Sequence, residues 1–92
     1  MTTADYQILL PSLPEQPGIY RFIAVDEEIL YIGKAKSLKK RIASYFGEKK
    51  DMRRKTRMMV RTAVRLEYTI VDTEQDALLL EATLIKKHQP RY

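Results

Sequence analysis

The sequence predicts an α+β domain built on a β-hairpin. Two β-prone segments, Ile19 to Val25 and Ile29 to Ile32, flank the polar stretch Asp26-Glu27-Glu28. A third such segment, Leu66 to Val71, stands between stretches of helical periodicity. With 92 residues, of which 45% are apolar, the chain supports a single core, so residues 1–92 are expected to form one domain.

The first 17 residues carry Pro11, Pro14 and Pro17, which lack amide protons and disfavour helix at the residue before them. This segment is expected to approach the fold in extended form, with residues 1–12 a loosely ordered lead-in. In the hairpin, the register decides which side chains share a face. If opposed residue numbers sum to an odd value, Tyr20, Phe22, Tyr31 and Gly33 lie together; an even sum separates the two tyrosines.

Ser37 is placed to cap a helix from Leu38 to Phe46, in which Leu38, Ile42, Tyr45 and Phe46 recur at helical spacing and Gly47 supplies the stop. A second helix from about Met52 to Val64 turns Met59, Val60, Ala63 and Val64 toward the core. It sets Arg54, Arg57, Arg61 and Arg65 in a line along another side. Thr73 with Asp76 three residues later resembles a capping box, opening a last helix that runs to about His88 before Pro90.

Composition removes several classes of function. Without cysteine there is neither a disulfide framework nor a thiolate zinc site, and the lone His88 has no imidazole partner for a two-histidine metal site. The longest aliphatic run, Ala77 to Leu80, is far short of a membrane span, and no charged-then-apolar leader is visible, so a cytoplasmic protein with no membrane partner is expected.

The net charge of +5 is unevenly distributed: residues 1–33 sum to −4, residues 34–65 to +11 and residues 66–92 to −2. So much positive charge in one third of a small domain suits a polyanion, of which double-stranded nucleic acid is the commonest; an acidic membrane surface competes with it. Lys36, Lys39, Lys40, Arg53, Arg54, Arg57 and Arg61 are the candidate contacts. The alternative is a plain solvated face.

Chemistry-bearing residues cluster at a few positions. Glu81 sits in the middle of the last helix's apolar stripe, with Ala77, Leu84, Leu78 and Ile85 within about 60° on either side. A carboxylate there needs a cation, hydrogen-bond donors or a metal ion, or else it takes up a proton. An ion pair with Arg or Lys and a Mg²⁺ site completed by water and substrate phosphate both satisfy it. Gly33, Lys34, Ala35 and Lys36 fall between a strand and a helix N-terminus, where free amides attract phosphate, although the GxxxxGK[ST] spacing fails. Arg41 and Tyr45, four residues apart, are neighbours at the border of the core. Arg41 as a snorkelling side chain, Tyr20 and Tyr31 as ordinary strand tyrosines and His88 as a C-terminal helix cation are the plain structural alternatives.

Taken together, Gly18-Ile19-Tyr20, ten intervening residues, Tyr31-Ile32-Gly33-Lys34-Ala35, the Arg41 to Tyr45 pair and Glu81 within Leu78-Leu79-Leu80-Glu81 resemble the GIY-YIG nuclease family. Within that family the sequence is most similar to the N-terminal domains of UvrC-type excision-repair subunits, from Leu13 to Tyr92. The resemblance implies a three-stranded antiparallel sheet flanked by helices, and it selects the odd register.

It also implies a metal-dependent DNA endonuclease with Tyr20, Tyr31, Lys34, Arg41, Tyr45 and Glu81 as catalytic residues. Tyr31 is associated with activating the nucleophilic water, Arg41 with phosphate charge, and Glu81 with a single Mg²⁺ or Mn²⁺. Because a tyrosine ordinarily ionises near pH 10, a phenol acts as base only with cationic support, and a desolvated Lys34 is the other candidate.

Two departures stand out: Thr83 occupies a position where the UvrC pattern commonly has Asn, and the sequence ends where the family usually continues with Asn after Pro90-Arg91-Tyr92. A fragment of a longer protein is therefore expected. The resemblance gives the longer protein a UvrB–DNA complex as partner and the 3′-side incision of bacterial nucleotide excision repair as reaction. A stand-alone structure-specific nuclease and a non-catalytic nucleic-acid binding module are the alternatives.

Overall fold

The computed structural model describes residues 3–46 and 53–92. Its centre is a three-stranded antiparallel sheet of β1 (Gly18–Ile23), β2 (Ile29–Ala35) and β3 (Arg65–Ile70), in the order β2-β1-β3. Helices α1 (Thr3–Leu9), α2 (Leu38–Ala43), α3 (Arg54–Thr62) and α4 (Glu74–His88) surround it. Among the described residues, no helix is long and apolar enough to cross a membrane.

The register is the odd one: Tyr20 pairs with Gly33 and Phe22 with Tyr31. On β1's other side, Tyr20 pairs with Tyr68 and Phe22 with Leu66. One sheet face therefore carries Tyr20, Phe22, Tyr31, Gly33, Leu66 and Tyr68. Against it pack Leu38 and Ile42 of α2, Tyr45 just beyond, and Met59, Val60 and Ala63 of α3 and its C-cap. Between Phe22 and Ile23 the pairing slips, since Ile23 faces Ile29, which makes Leu30 the extra residue of a β-bulge directly before Tyr31.

The opposite face buries Ile19, Ile23 and Ile32, and α4 covers it, packing on β1 and β2 with Ala77 fully inside. Toward β3 that face turns polar. Arg21 donates to Thr69 Oγ1 at 3.2 Å, and Arg65 bridges Glu67 at 2.7 Å and Glu27 at 2.6 Å.

Several expectations change. The N-terminal segment is not extended throughout: Thr3–Leu9 is helical and Tyr6 is buried, stacked on Phe46 with ring centroids 4.2 Å apart. Pro11 breaks no helix, because it sits at the start of a 3₁₀ turn, Leu10–Ser12, where a missing amide costs nothing.

Helix α2 is capped by Ser37 as predicted but ends at Ala43, and α3 spans Arg54–Thr62. The Gly47 stop and the Met52 start lie outside the described residues. Val64, expected in the core, is exposed, because the chain has left the helix and its amide bonds Ile23 O. Arg65 leaves the arginine line for the same reason and joins β3. On α4 the apolar stripe is only partly inside: Leu78 and Ile85 are exposed, whereas Glu81 and Leu84 are half-buried beside the buried Ala77.

Candidate active site

Strand pairing brings the motif tyrosines to one spot. Tyr20 is fully buried, and its hydroxyl lies 2.7 Å from that of Tyr45 while accepting a hydrogen bond from Arg41 Nε at 3.1 Å. The Tyr20 ring also touches Tyr31, centroid to centroid 6.0 Å, and the Arg41 guanidinium stands 5.3 Å from the centre of the Tyr45 ring. The one-turn spacing of Arg41 and Tyr45 survives the early end of α2, because the turn after Ala43 continues in helical sense.

Gly33 makes this approach possible. A Cβ there would lie 2.4 Å from the Tyr20 hydroxyl oxygen and 2.8 Å from the Tyr31 ring. Gly18, two pairs along the same ladder, is confined in a similar way by the Thr69 carbonyl at 2.3 Å.

Electrostatics separate the groups. Burial pushes the Tyr20 phenol above its ordinary range, although its hydrogen bonds with Tyr45 and Arg41 work the other way. Burial likewise pushes Tyr45 well up. Desolvation opposes the charge on Arg41, but the Tyr20 hydrogen bond and the surrounding phenols outweigh it, so the guanidinium stays charged. Tyr20 and Tyr45 are therefore neutral where they meet Arg41, and Tyr31 is the half-buried motif tyrosine that opens outward.

It opens into a cleft of about 860 Å³. Tyr31, Arg41 and Tyr45 line it, together with Arg53 at the cap of α3, Lys55 and Thr56 within α3, and Arg91 and Tyr92 after α4. Of the cations assigned to DNA in the sequence, only Arg53 lines this cleft. Arg54, Arg57 and Arg61 are exposed on α3, Lys40 is exposed, Lys39 is half-buried, and Lys36 lies 3.9 Å from Glu74. Lys55, Arg91 and Tyr92 were missed. Lys55 falls off the arginine line, and the other two reach the site only because the chain doubles back after α4.

Lys34 lies on the other face of the sheet from the tyrosine–arginine cluster. Lys34 belongs to β2 and by alternation points to the α4 side, where it lines a separate groove with Ala77. Glu81 is one helical turn beyond Ala77 on the same side of α4, and it is not among the described residues lining the larger cleft. Since β2 is an edge strand, its exposed margin is where groups from both faces can meet.

The phosphate cradle expected at the head of α2 does not form. Gly33, Lys34 and Ala35 are strand residues, and the Leu38, Lys39 and Lys40 amides donate to Gln16 O, Pro14 O and Ser37 Oγ.

Glu81 passes a test of fit for a divalent cation. Half-buried, its carboxylate makes no hydrogen bond or ion pair with the side chain of any described residue, so no Arg or Lys partner stands beside it among them. No group of three metal-ligating side chains exists among the described residues. A lone carboxylate suits Mg²⁺, which keeps most of its water and takes phosphate oxygens as ligands.

Residues 16–92 match the family model of the UvrC-like GIY-YIG domain. The chain belongs to this family. It is 52% identical over 88 residues to the UvrABC system protein C of Cytophaga hutchinsonii, covering 96% of this chain and 15% of that protein. To the Porphyromonas gingivalis UvrABC system protein C it is 50% identical over 92 residues, again 15% of that protein. The chain thus spans about 15% of the length of these relatives.

Among solved structures, this GIY-YIG domain superposes with a TM-score of 0.84 on the N-terminal endonuclease domain of UvrC from Thermotoga maritima, crystallised with its catalytic divalent cation, magnesium. The two are 36% identical, and the match covers 96% of this chain and 94% of the other. The three-stranded antiparallel sheet expected of the family is present.

Proposed function

We propose that this GIY-YIG domain is a divalent-metal-dependent DNA endonuclease that hydrolyses one phosphodiester bond, serving in a longer, cytoplasmic protein as the 3′-side incision activity of nucleotide excision repair. Its partners are double-stranded DNA and, in the longer protein, a UvrB–DNA complex. The observation that carries the reading is the cleft in which Tyr31 and Arg41 stand side by side while Tyr20 and Tyr45 hold the arginine from behind.

Hydrolysis needs a water that loses its proton, neutralisation of the phosphoryl oxygens, and support for the alkoxide that leaves as the P–O bond breaks. Tyr31 relays the proton of the attacking water, its phenol passing its own proton on to solvent beside the charged Arg41 as it accepts the new one, and its half-exposed position gives water access. Arg41, kept charged and oriented by the two buried phenols, faces the phosphoryl oxygens. Glu81 would hold the cation, Mg²⁺ or Mn²⁺, which when bound supplies positive charge for a phosphate or leaving-group oxygen. Lys34 adds positive charge from the other side of β2, and Arg53 and Lys55 receive the flanking phosphates. The outward arginines Arg54, Arg57 and Arg61 add affinity that depends on salt and little on sequence.

The test compares nicking of plasmid DNA with Mg²⁺, with Mn²⁺, with chelator, and by Glu81→Gln. Cutting restricted to the parent with metal is expected. Equal cutting in every arm overturns the role of Glu81, and binding without cutting in any arm leaves a nucleic-acid binding module.

A further inference from the structure

The bulge before Tyr31 is pinned from outside the sheet. After α4, Gln89 adopts a left-handed conformation (φ 46°) and turns the chain back, so that Tyr92 N–H donates to Leu30 O at 2.9 Å. Leu30 is the bulge residue, fully buried, and Tyr31 follows it. This backbone bond alone is a weak tether for a strap of three residues. A second one exists: Arg91 Nη2 is paired with Glu28. Glu28 is itself held rigidly, since its amide donates to Asp26 Oδ1 at 3.1 Å and its carbonyl accepts from Ala24 N at 2.9 Å, across a turn in which Glu27 has φ 68°. One end of the ion pair is therefore fixed to the hairpin, two residues before the bulge, and the other end to the strap.

We propose that the Arg91–Glu28 ion pair is a latch that holds the Pro90–Tyr92 strap against the Leu30 bulge and so sets the direction of the Tyr31 side chain. Bulges re-aim the side chain that follows them, and an edge strand has no neighbouring strand to hold the bulge in one form. The strap takes that neighbour's place. Arg91 and Glu28 are positioning residues here, while Tyr31 is the group that meets the substrate. The kinetic part of this inference rests on the nuclease reading; the structural part does not.

The experiment uses the 92-residue chain with Arg91→Ala, Glu28→Ala, and the reversed pair Glu28→Arg with Arg91→Glu. Hydrogen exchange at the Tyr92 amide and the ring resonances of Tyr31 are read by NMR. Each single variant is expected to speed exchange at Tyr92 about threefold to fivefold, the scale of a surface ion pair, and to shift the Tyr31 resonances; the reversed pair is expected to restore both. Unchanged exchange and resonances in the single variants overturn the latch, as does a reversed pair no better than the singles.

In the same variants kcat of nicking is expected to fall with KM nearly constant, and the pH profile to move. A change in KM alone would mean that Arg91 binds DNA directly, which also overturns the proposal. If the parent does not nick DNA, the nuclease reading fails and the exchange measurement still decides the latch.

Discussion

Gly33 lies directly across the β1–β2 ladder from Tyr20, with no room between them for even a methyl group. That opposition explains why the two halves of the motif occur together. A phenol from one strand crosses to the space left by a missing side chain on the other, and there meets Arg41 and Tyr45. Gly33→Ala is expected to push the Tyr20 and Tyr31 rings aside, costing about 1–3 kcal/mol of stability and roughly 10²-fold in nicking rate. Denaturant unfolding and single-turnover nicking check both, and a fully active Gly33→Ala variant would show that the rings need not be where they are.

The Tyr20 hydroxyl serves two partners at once. Tyr20→Phe leaves the Tyr45 hydroxyl and Arg41 Nε without that oxygen, an expected loss of about 1–3 kcal/mol. The double variant Tyr20→Phe with Tyr45→Phe is expected to cost less than the two single losses added, because both remove the same bond. Strict additivity in unfolding measurements would contradict a shared network.

Alkaline pH acts on the same pair. Unfolded, Tyr20 and Tyr45 ionise near pH 10; folded, burial raises both, so the native state holds protons that the unfolded chain has lost. Their contribution is complete below about pH 10 and is lost as pH rises beyond it toward the folded values. Unfolding free energies measured between about pH 9 and about pH 11 are expected to decline, and Tyr20→Phe to decline less steeply. A rise in stability over that range would reverse the sign and contradict the burial argument.

Much of this arrangement was legible in the sequence. The residues left two registers open and the GIY-YIG resemblance selected the odd one that forms, while Ser37 and Thr73 cap their helices through Lys40 N and Asp76 N as their side chains suggest. What escaped was long-range. Prolines at 11, 14 and 17 drew attention from residues 3–9, whose helix is secured by Tyr6 finding Phe46 some forty residues away. Helix α4 leaves Leu78, Leu79 and Ile85 partly in solvent, because its closest contact with the sheet is through Ala77. The cleft lining from Arg91 and Tyr92 depends on a turn at Gln89 that has no glycine to announce it.

Helix α1 is accordingly an integral part of the core. Tyr6→Ala removes a buried ring stacked on Phe46 and is expected to cost about 3 kcal/mol. Thermal unfolding checks this, and a variant as stable as the parent would make α1 dispensable.

Tyr31→Phe offers the most direct trial, read as the single-turnover nicking rate on DNA already bound, in Mg²⁺. Removing one oxygen from a cleft-wall ring leaves packing and DNA affinity intact, so the rate is expected to fall about 10²–10⁴-fold while affinity stays the same. Cutting at the parent's rate would show that the proton leaves the water by another route.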